Sequence, residues 1–344
     1  MDKNSQKHSK FILFLVMMAV VVFLIYVFKE ISLLFFGSYV ISCALNPLVD
    51  KMSKVMPRWL AIAIIYIMGL VTLILIAIPL ILIAIEETAA FLRNLPIYLS
   101  FAKSTVLYIT KLDIPALNLV FNFNTLSHTV EKFGTEILNQ SINLTKDIIE
   151  GATIALTVAI IVLYMLLDKP ILKEGILSFF PEEIREKIHL MGRAISYKVG
   201  GYVIGQAFIM LVVGILTGVG LFLFKIKFAA LLGLIAGLLD IVPIAGPFVA
   251  LMMGILVAAP LGLKAVIITF FIYMFAQWST NHFLKPALFG KLLDLHPIVI
   301  ILAILVAAQT LGVAGVILSP AIAATLYVIF QEFYLKVINK KTNE

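Results

Sequence analysis

The chain has 344 residues, of which 62% are hydrophobic and only 13% charged, and its mean hydropathy is +1.11. Soluble globular proteins carry about 25% charged residues, so this composition excludes a soluble globular fold and indicates a polytopic membrane protein. The net charge of +7 comes from short basic clusters beside apolar segments. Such clusters favour anionic lipid headgroups as partners and argue against nucleic acid. The single cysteine, Cys43, excludes an intrachain disulfide.

Apolar runs of about 20 residues predict transmembrane helices in the first half of the chain. They cover residues 11–28, 31–48, 59–85 and 151–167, and a fifth apolar run covers residues 201–224. The flanking lysines and arginines predict a cytoplasmic N-terminus. The polar section between the third and fourth of these helices, residues 86–150, is net acidic and fits the outer face. Apolar residues recur there at helical spacing, which predicts amphipathic helices after a third helix that ends at Glu86-Glu87.

The most informative segment is the apolar stretch 228–259, because a carboxylate, two prolines and a glycine interrupt its centre. Its halves, 228–239 and 248–259, would each measure about 18 Å as helices and could not cross about 30 Å of hydrocarbon alone. One interpretation is a re-entrant helical hairpin that enters from outside. The other is a single kinked crossing. The interrupting residues are Asp240, Pro243, Gly246 and Pro247.

The segments after this stretch favour the hairpin. A spanning helix over 264–284 would then return to the cytoplasm, and the apolar stretch 298–335 breaks at Gly312 to Gly315 and again near Pro320. A second hairpin there, entered from inside, keeps the basic C-terminal tail cytoplasmic, as lysine-rich ends prefer. Two helix-plus-hairpin units in opposite orientation form an inverted repeat, as in secondary transporters.

The sequence therefore predicts an all-α integral membrane protein, a polytopic helical bundle with two re-entrant helical hairpins in inverted orientation. We expect both termini on the cytoplasmic side of the cell membrane, and the long extramembrane helices favour a homo-oligomer. The predicted sections are three transmembrane helices (1–85), the outer amphipathic section (86–150), the fourth helix with a cytoplasmic amphipathic helix (151–200), the transport unit (201–335) and the tail (336–344).

Asp240 is the strongest candidate for a functional residue, because ionisable side chains within membranes usually serve a function. The backbone unwound by its neighbouring prolines and glycine would expose carbonyl oxygens suited to a cation. Other amides on apolar helices, at Gln206 and Gln277, are more typical of interhelical hydrogen bonds. The predicted substrate- or ion-binding residues are Asp240, Pro243, Gly246, Pro247, Gln309, Thr310, Gly312 and Gly315. A candidate proton relay consists of His282, Asp294 and His296, although Leu-His-Pro also suits a simple helix start.

The sequence carries no motif typical of an enzyme. It lacks a phosphate-binding loop, a His-Glu-x-x-His zinc motif and a Gly-x-Ser-x-Gly elbow. We therefore expect neither catalysis nor a cofactor, and the histidine spacing fits no zinc site.

Two stretches, LLDIVPIAGPFVALMMG (238–254) and FLKPALFGKLLDLHPIVIILAILVAAQTLGVAGVILSPAIAA (283–324), resemble the autoinducer-2 exporter family of multi-pass bacterial proteins. The shared elements are the acid-x-x-Pro-x-x-Gly-Pro break, a Pro-x-x-x-Gly-Lys loop before Leu-His-Pro, and the Gly-x-x-Gly-x-x-x-x-x-Pro ending. The resemblance covers essentially the whole chain. Ile244-Ala245 departs from the bulkier or aromatic pair expected there.

The resemblance implies a transporter without naming its cargo. Members of the family are proposed to export the furanone signal, and others are linked to sodium or lithium efflux by proton antiport. We therefore expect a secondary transporter that exports a small solute, or that exchanges sodium for protons. The alternative is a non-transporting scaffold or envelope-assembly protein that acts through its 86–150 section.

Overall fold

The structure, a computed structural model, describes residues 27–111, 144–290 and 296–331. Regular secondary structure in these ranges is helical throughout. A 3₁₀ turn (Ala259–Leu261) and a π-helical turn (Thr280–Leu284) adjoin the α-helices. The α-helices are α1 (Lys29–Met52), α2 (Arg58–Lys111), α3 (Leu144–Leu167), α4 (Lys169–Ser178), α5 (Glu182–Leu223), α6 (Ala229–Leu239), α7 (Ala245–Ala258), α8 (Leu263–Ser279), α9 (Lys285–Phe289) and α10 (Pro297–Phe330).

Five helical stretches in the described ranges are long and apolar enough to cross a membrane. They lie in α1, α3, α5, α8 with its continuation to Phe289, and α10. The predicted spans 31–48, 151–167, 201–224 and 264–284 fall within the first four of these stretches, apart from residue 224. The chain is therefore an all-α integral membrane protein. The predicted first helix, 11–28, lies outside the described residues.

Helix α2 is much longer than the sequence predicts. It has 54 residues, or about 81 Å of helix, well beyond the hydrocarbon thickness of about 30 Å. The predicted end at Glu86-Glu87 is wrong, because these two residues lie inside the helix. The buried residues Phe91, Leu95 and Tyr98 continue its apolar face past the two acids, so packing extends the helix beyond them.

Helix α5 joins two elements that the sequence separates near residue 200. Glu182 and Glu183 occupy its first turn, where acidic side chains complement the helix dipole, and the helix then continues without interruption to Leu223. The amphipathic stretch and the membrane-spanning stretch thus form one continuous helix. No proline separates them, since the last one before the helix is Pro181.

The chain divides into two compact units, each built from separate parts of the sequence. The first unit contains residues 1–47, 156–200 and 295–344, and the second contains residues 48–155 and 201–294. The five sections expected from the sequence remain a prediction.

The core of the second unit lies around α6, which packs closely on α5. A Cβ atom added at Gly233 would lie 2.6 Å from the Gly218 Cα atom, so only glycine permits this approach of the two backbones. The start of α6 packs on α2, where the Phe228 ring meets the Phe91 ring edge-on at a centroid distance of 5.8 Å. The α5–α6–α2 packing holds the segment in which the sequence places its strongest candidate site.

Helices α6 and α7 are two short helices joined by a turn, as the interrupted pattern predicts. They pack against each other, and both contact α2. Their 11 and 14 residues correspond to about 17 and 21 Å, so neither alone spans the hydrocarbon. Re-entry of this pair from one face of the membrane remains a prediction.

Helix α10, in the first unit, contains one of the two predicted interruptions. Gly312 has φ 65° and ψ −153°, a conformation that is essentially restricted to glycine, and it separates two helical halves. The second expected break, near Pro320, is wrong, because the helix continues through Pro320 to Phe330. A second re-entrant hairpin likewise remains a prediction.

Candidate functional site

The turn between α6 and α7 has an unusual backbone. Ile244 has φ 68° and ψ −59°, and the Ala245 amide donates to the Pro243 carbonyl oxygen at 2.8 Å. These values describe a classic γ-turn, which is rare and strained. A β-branched residue at positive φ is a genuine outlier, and such conformations cost about 1–3 kcal/mol and persist only where the surrounding structure enforces them. Strain of this kind concentrates at functional sites.

Gly246 allows the second helix to start directly beside the end of the first. A Cβ atom at this position would overlap the Leu239 carbonyl oxygen. Its amide donates to the Val242 carbonyl oxygen at 3.0 Å, which closes the turn. Pro247 follows within the first turn of α7, where a proline removes no intrahelical hydrogen bond. The Pro-x-x-Gly-Pro pattern thus specifies a tight turn, with a helix C-terminus beside a helix N-terminus.

Asp240 ends α6 and is only 3% exposed. Gln277 of α8 donates from Nε2 to the Asp240 Oδ1 atom at 2.9 Å. Gln206 of α5 donates from Nε2 to the Asp240 carbonyl oxygen at 2.9 Å and lies 3.4 Å from Oδ2. Two side-chain amides from different helices therefore hold the carboxyl group and its backbone at the turn.

The partners of Asp240 are neutral. In the part of the chain that the structure describes, no lysine or arginine lies within ion-pair distance of it, although the Lys285 ammonium acts on it electrostatically. Lys285 itself donates to the Asn281 Oδ1 atom at 2.7 Å. In the described residues, the Asp240 carboxyl group is therefore stabilised by amide dipoles rather than by a paired positive charge.

Glu87 of α2 binds the other end of α6. Its Oε2 atom accepts a hydrogen bond from the Leu231 amide at 2.7 Å, and Leu231 lies in the first turn of the helix. A carboxylate is stabilising there because the first amides of a helix are unpaired and carry positive charge. From the sequence, Glu86-Glu87 suggest only a solvated helix end. In the structure, Glu87 caps the N-terminus of α6, whereas Glu86 is exposed.

The residues of the predicted second site belong to the first unit. Gln309 and Thr310 precede the break at Gly312, and both are exposed in this chain. The Thr310 hydroxyl donates to the Val306 carbonyl oxygen of its own helix at 2.8 Å. Gly315 is buried, and a Cβ atom there would overlap the Leu311 side chain. These four residues stay candidates for binding.

The two described histidines of the predicted proton relay make different local contacts. His282 is exposed and contacts the Trp278 carbonyl oxygen at 3.0 Å through Nδ1. His296 caps α10, because its Nδ1 atom accepts from the Ile298 amide at 3.3 Å. The helix-start reading of Leu-His-Pro therefore has direct geometric support. Asp294 lies outside the described residues. In the described ranges, no three His, Cys, Asp or Glu side chains gather in a way that could hold a metal ion.

The sequence indicates the acid of this candidate site but not its partners. Gln206 and Gln277 are predicted to make interhelical hydrogen bonds, and both do so with one shared acceptor residue, Asp240. The only signal in the sequence is the presence of amides on otherwise apolar helices. Separations of 34 and 37 residues from Asp240 explain why no local pattern connects them.

Comparison with known proteins assigns the family. The model of the AI-2E family transporter matches residues 12–335. "Putative transport protein YrrI" of Bacillus subtilis (strain 168) is 25% identical over 312 residues, which cover 89% of this chain and 88% of YrrI. A protein of Halobacillus andaensis named sodium-lithium/proton antiporter is 25% identical over 264 residues, 70% of this chain and 74% of its own. The chain belongs to the AI-2E transporter family and is therefore a multi-pass membrane transporter rather than an enzyme.

Proposed function

We propose that this chain is a secondary transporter that exchanges an alkali cation, Na⁺ or Li⁺, for protons, and that Asp240 binds the two in turn. The observation that carries the proposal is a buried carboxyl group held by two neutral amides in an apolar segment. An acid within a membrane segment is costly unless it has a function.

The amide partners suit a group that changes its charge. A glutamine side chain has both a donor NH₂ and an acceptor oxygen. When Asp240 is ionised, the NH₂ groups of Gln206 and Gln277 donate to it, as in the described arrangement. When it is protonated, rotation of either amide would present an oxygen to the new O–H donor. An arginine partner would instead favour the ionised form alone.

The turn adds ligands for a cation. The Leu238, Leu239 and Asp240 carbonyl oxygens at the C-terminal end of α6 each accept one hydrogen bond, and a carbonyl oxygen has a second lone pair that a cation could use. Such helix ends coordinate ions in transporters built from discontinuous helices. Pro243 and Pro247 cannot donate backbone hydrogen bonds, so fewer amides compete for the carbonyl oxygens of the turn. Carboxylate and carbonyl oxygens are hard ligands and match a small, hard cation. The relative named as a sodium-lithium/proton antiporter supports the same class of substrate.

A second candidate function is export of a small polar solute similar to autoinducer-2. The description of the family favours it, because AI-2E names that activity. In this case the Asp240 carboxylate and the two amides would accept and donate hydrogen bonds to solute hydroxyls. The turn between α6 and α7 would be the binding site in both cases.

Several finer expectations belong to this proposal. Gln309, Thr310, Gly312 and Gly315 would form a second binding element in the first unit, with the two interrupted segments acting as inverted re-entrant hairpins. Both termini would lie in the cytoplasm. Anionic lipid headgroups would contact the basic flanks, and the protein would be a homo-oligomer.

The experiment is flux through the purified protein in proteoliposomes. We expect an outward Na⁺ or Li⁺ gradient to drive proton uptake in vesicles with wild-type protein. Asp240→Asn keeps the shape and the amide contacts but cannot ionise, so it should abolish the exchange. Glu183→Gln removes an exposed acid from the first turn of α5 and should leave the exchange unchanged.

The same vesicles separate the two candidate functions. An autoinducer-2 arm measures release of the preloaded solute with and without ion gradients. Cation-driven proton movement without solute supports exchange. Solute release that no cation gradient alters supports the exporter and contradicts the exchange. Full exchange activity in Asp240→Asn would remove Asp240 from the mechanism.

A further inference from the structure

A row of polar side chains extends from Asp240 along one face of α8. Thr269, Tyr273 and Gln277 are spaced four residues apart, so their side chains share one face of the helix. The row covers roughly 12 Å of helix axis at 1.5 Å per residue. Gln277, at one end, donates to the Asp240 carboxylate. Thr269, at the other end, lies near the start of α8.

The hydroxyl groups of this row are buried and lack protein partners. Thr269 is fully buried, and Tyr273 is 3% exposed. Neither hydroxyl has a hydrogen-bond partner among the described residues. The Thr217 hydroxyl, on the buried face of α5, is also buried and has no hydrogen-bond partner among the described residues. Buried polar groups nearly always find a partner, so these unpaired hydroxyls require an explanation.

The surroundings place the Tyr273 hydroxyl beside the helix pair that carries Asp240. A Cβ atom at Gly254 of α7 would lie 3.0 Å from this hydroxyl oxygen, so the phenol reaches the α7 backbone. A Cβ atom at Gly220 of α5 would lie 2.7 Å from the Ile272 Cγ2 atom, so α5 and α8 also pack closely. Glycines at both contacts bring the polar row close to the backbones of its neighbours.

The directions of the helices show where the row leads. Gln206 and Gln277 both reach Asp240, whereas Gly220 meets Ile272. Residue numbers rise along α5 as they fall along α8, so the two helices run antiparallel. The row therefore leads away from Asp240 toward the end of the unit where α5 finishes and α8 begins, and the exposed Lys264 occupies the first turn of α8 there.

We propose that this face of α8 is a hydrated path, in which ordered water bridges the Thr269, Tyr273 and Thr217 hydroxyls and connects them through Gln277 to Asp240. Buried water typically makes about three hydrogen bonds to otherwise unpaired polar groups, which is what these hydroxyls offer. The path would let protons or a small cation reach Asp240 from the Lys264 end. That consequence rests on the proposed exchange function, whereas the hydration does not.

Silver-ion accessibility tests the path. Ag⁺ is a small cation that reacts with thiols, and Cys43 is the only native cysteine, so Cys43→Ala gives a cysteine-free background. In this background, Thr269→Cys and Thr217→Cys should react with Ag⁺ about tenfold faster than Val213→Cys, because a dry core disfavours a polar entrant by at least that factor. Val213 is the matched control, since it is 1% exposed and lies one turn before Thr217 on the same face of α5.

The readout is protection of the thiol from later maleimide labelling of the denatured protein. Adding Tyr273→Phe removes one hydroxyl at nearly constant shape and should slow the Ag⁺ reaction of Thr269→Cys. Equal rates at Thr269→Cys, Thr217→Cys and Val213→Cys would overturn the proposal, and so would no effect of Tyr273→Phe on Thr269→Cys.

The outcome is separate from that of the exchange assay. Fast Ag⁺ reaction at the polar positions in a protein that moves no cation would support the hydrated path and count against the exchange function. Exchange activity with a slow Ag⁺ reaction at every position would count against the path and support the exchange. Fast Ag⁺ reaction, together with exchange that Tyr273→Phe slows, would support both.

Discussion

The two interrupted segments of this chain differ in what maintains the interruption. In the second unit, the break between α6 and α7 contains a β-branched residue at positive φ, and tertiary contacts hold it: Gln206 and Gln277 bind Asp240, and Gly246 lies against Leu239. In the first unit, the break in α10 lies at Gly312, which is exposed, and no other described segment comes within 4 Å of a Cβ atom added there.

This difference favours the turn between α6 and α7 as the proposed site. A strained turn that persists because neighbours enforce it is typical of a functional site, whereas an exposed glycine break is typical of a bend. Of the two breaks, only the one between α6 and α7 has an ionisable side chain. The helices that hold its backbone, α5 and α8, also bind this acid. The energetic cost of disturbing the two breaks should differ accordingly.

The largest effect is expected for Gly246→Ala. The added methyl group would overlap the Leu239 carbonyl oxygen, and backbone atoms cannot move aside as a flexible side chain can. We expect a loss of about 3 kcal/mol in stability, visible as a much lower melting temperature in detergent.

Gly192→Ala is the matched control, because it lies inside α5 and no other described part of the chain comes within 4 Å of the added Cβ. Alanine is the better helix former, so this variant should be neutral or more stable by up to about 1 kcal/mol. A Gly246→Ala protein as stable as Gly192→Ala would mean that α6 and α7 do not meet as described.

Gly312→Ala should cost less, about 2 kcal/mol, because the penalty is conformational and no atom obstructs the methyl group. The same melting experiment measures it. If this variant is as damaging as Gly246→Ala, the break in α10 is held by packing after all, and the contrast between the two units disappears.

Gln277→Met removes the donor to Asp240 Oδ1 at similar volume and should cost about 1.5 kcal/mol, since a buried acceptor loses its partner. A double-mutant cycle with Asp240→Ala, which removes the carboxyl acceptor, isolates this contact from other effects of the substitution. If the losses of the two single variants simply add in the double variant, Gln277 and Asp240 are not coupled.

The smallest effect is expected for Glu87→Gln, about 0.5 kcal/mol, because the amide oxygen can still accept from the Leu231 amide and only the charge at the helix N-terminus is lost. Glu86→Gln changes the exposed neighbouring acid and should have no effect on the melting temperature. Equal shifts in the two variants would contradict the capping role of Glu87.

The sequence was sufficient to locate the turn and its acid. Asp240, Pro243, Gly246 and Pro247 interrupt an apolar run, and the physical rules for proline, glycine and intramembrane charge apply to them locally. The partners of Asp240 are Gln206, which precedes it by 34 residues, and Gln277, which follows it by 37 residues. Only tertiary packing connects them, so no periodicity could reveal the contact.

Contacts that local rules do not include also explain the two wrong predictions about helix ends. Glu86-Glu87 indicate a helix end by local rules, yet the apolar face at Phe91, Leu95 and Tyr98 finds a partner in Phe228 and carries α2 onward. Near Pro320, the expected break is absent because the Val316 carbonyl oxygen, which the proline leaves without its usual amide donor, accepts from the Ser319 hydroxyl at 2.7 Å. A tertiary contact overrides the local signal in the first case, and a side-chain hydrogen bond replaces the missing donor in the second.

Competition between a cation and a proton for Asp240 is tested most directly by proton release on cation binding. Na⁺ or Li⁺ added to the purified wild-type protein in weakly buffered detergent solution, near the pH at which Asp240 is protonated, should release about one proton for each cation bound, as expected when a ligand must be deprotonated. Asp240→Asn should release none, and Glu183→Gln should match the wild type. Equal proton release from the wild type and Asp240→Asn would contradict the account.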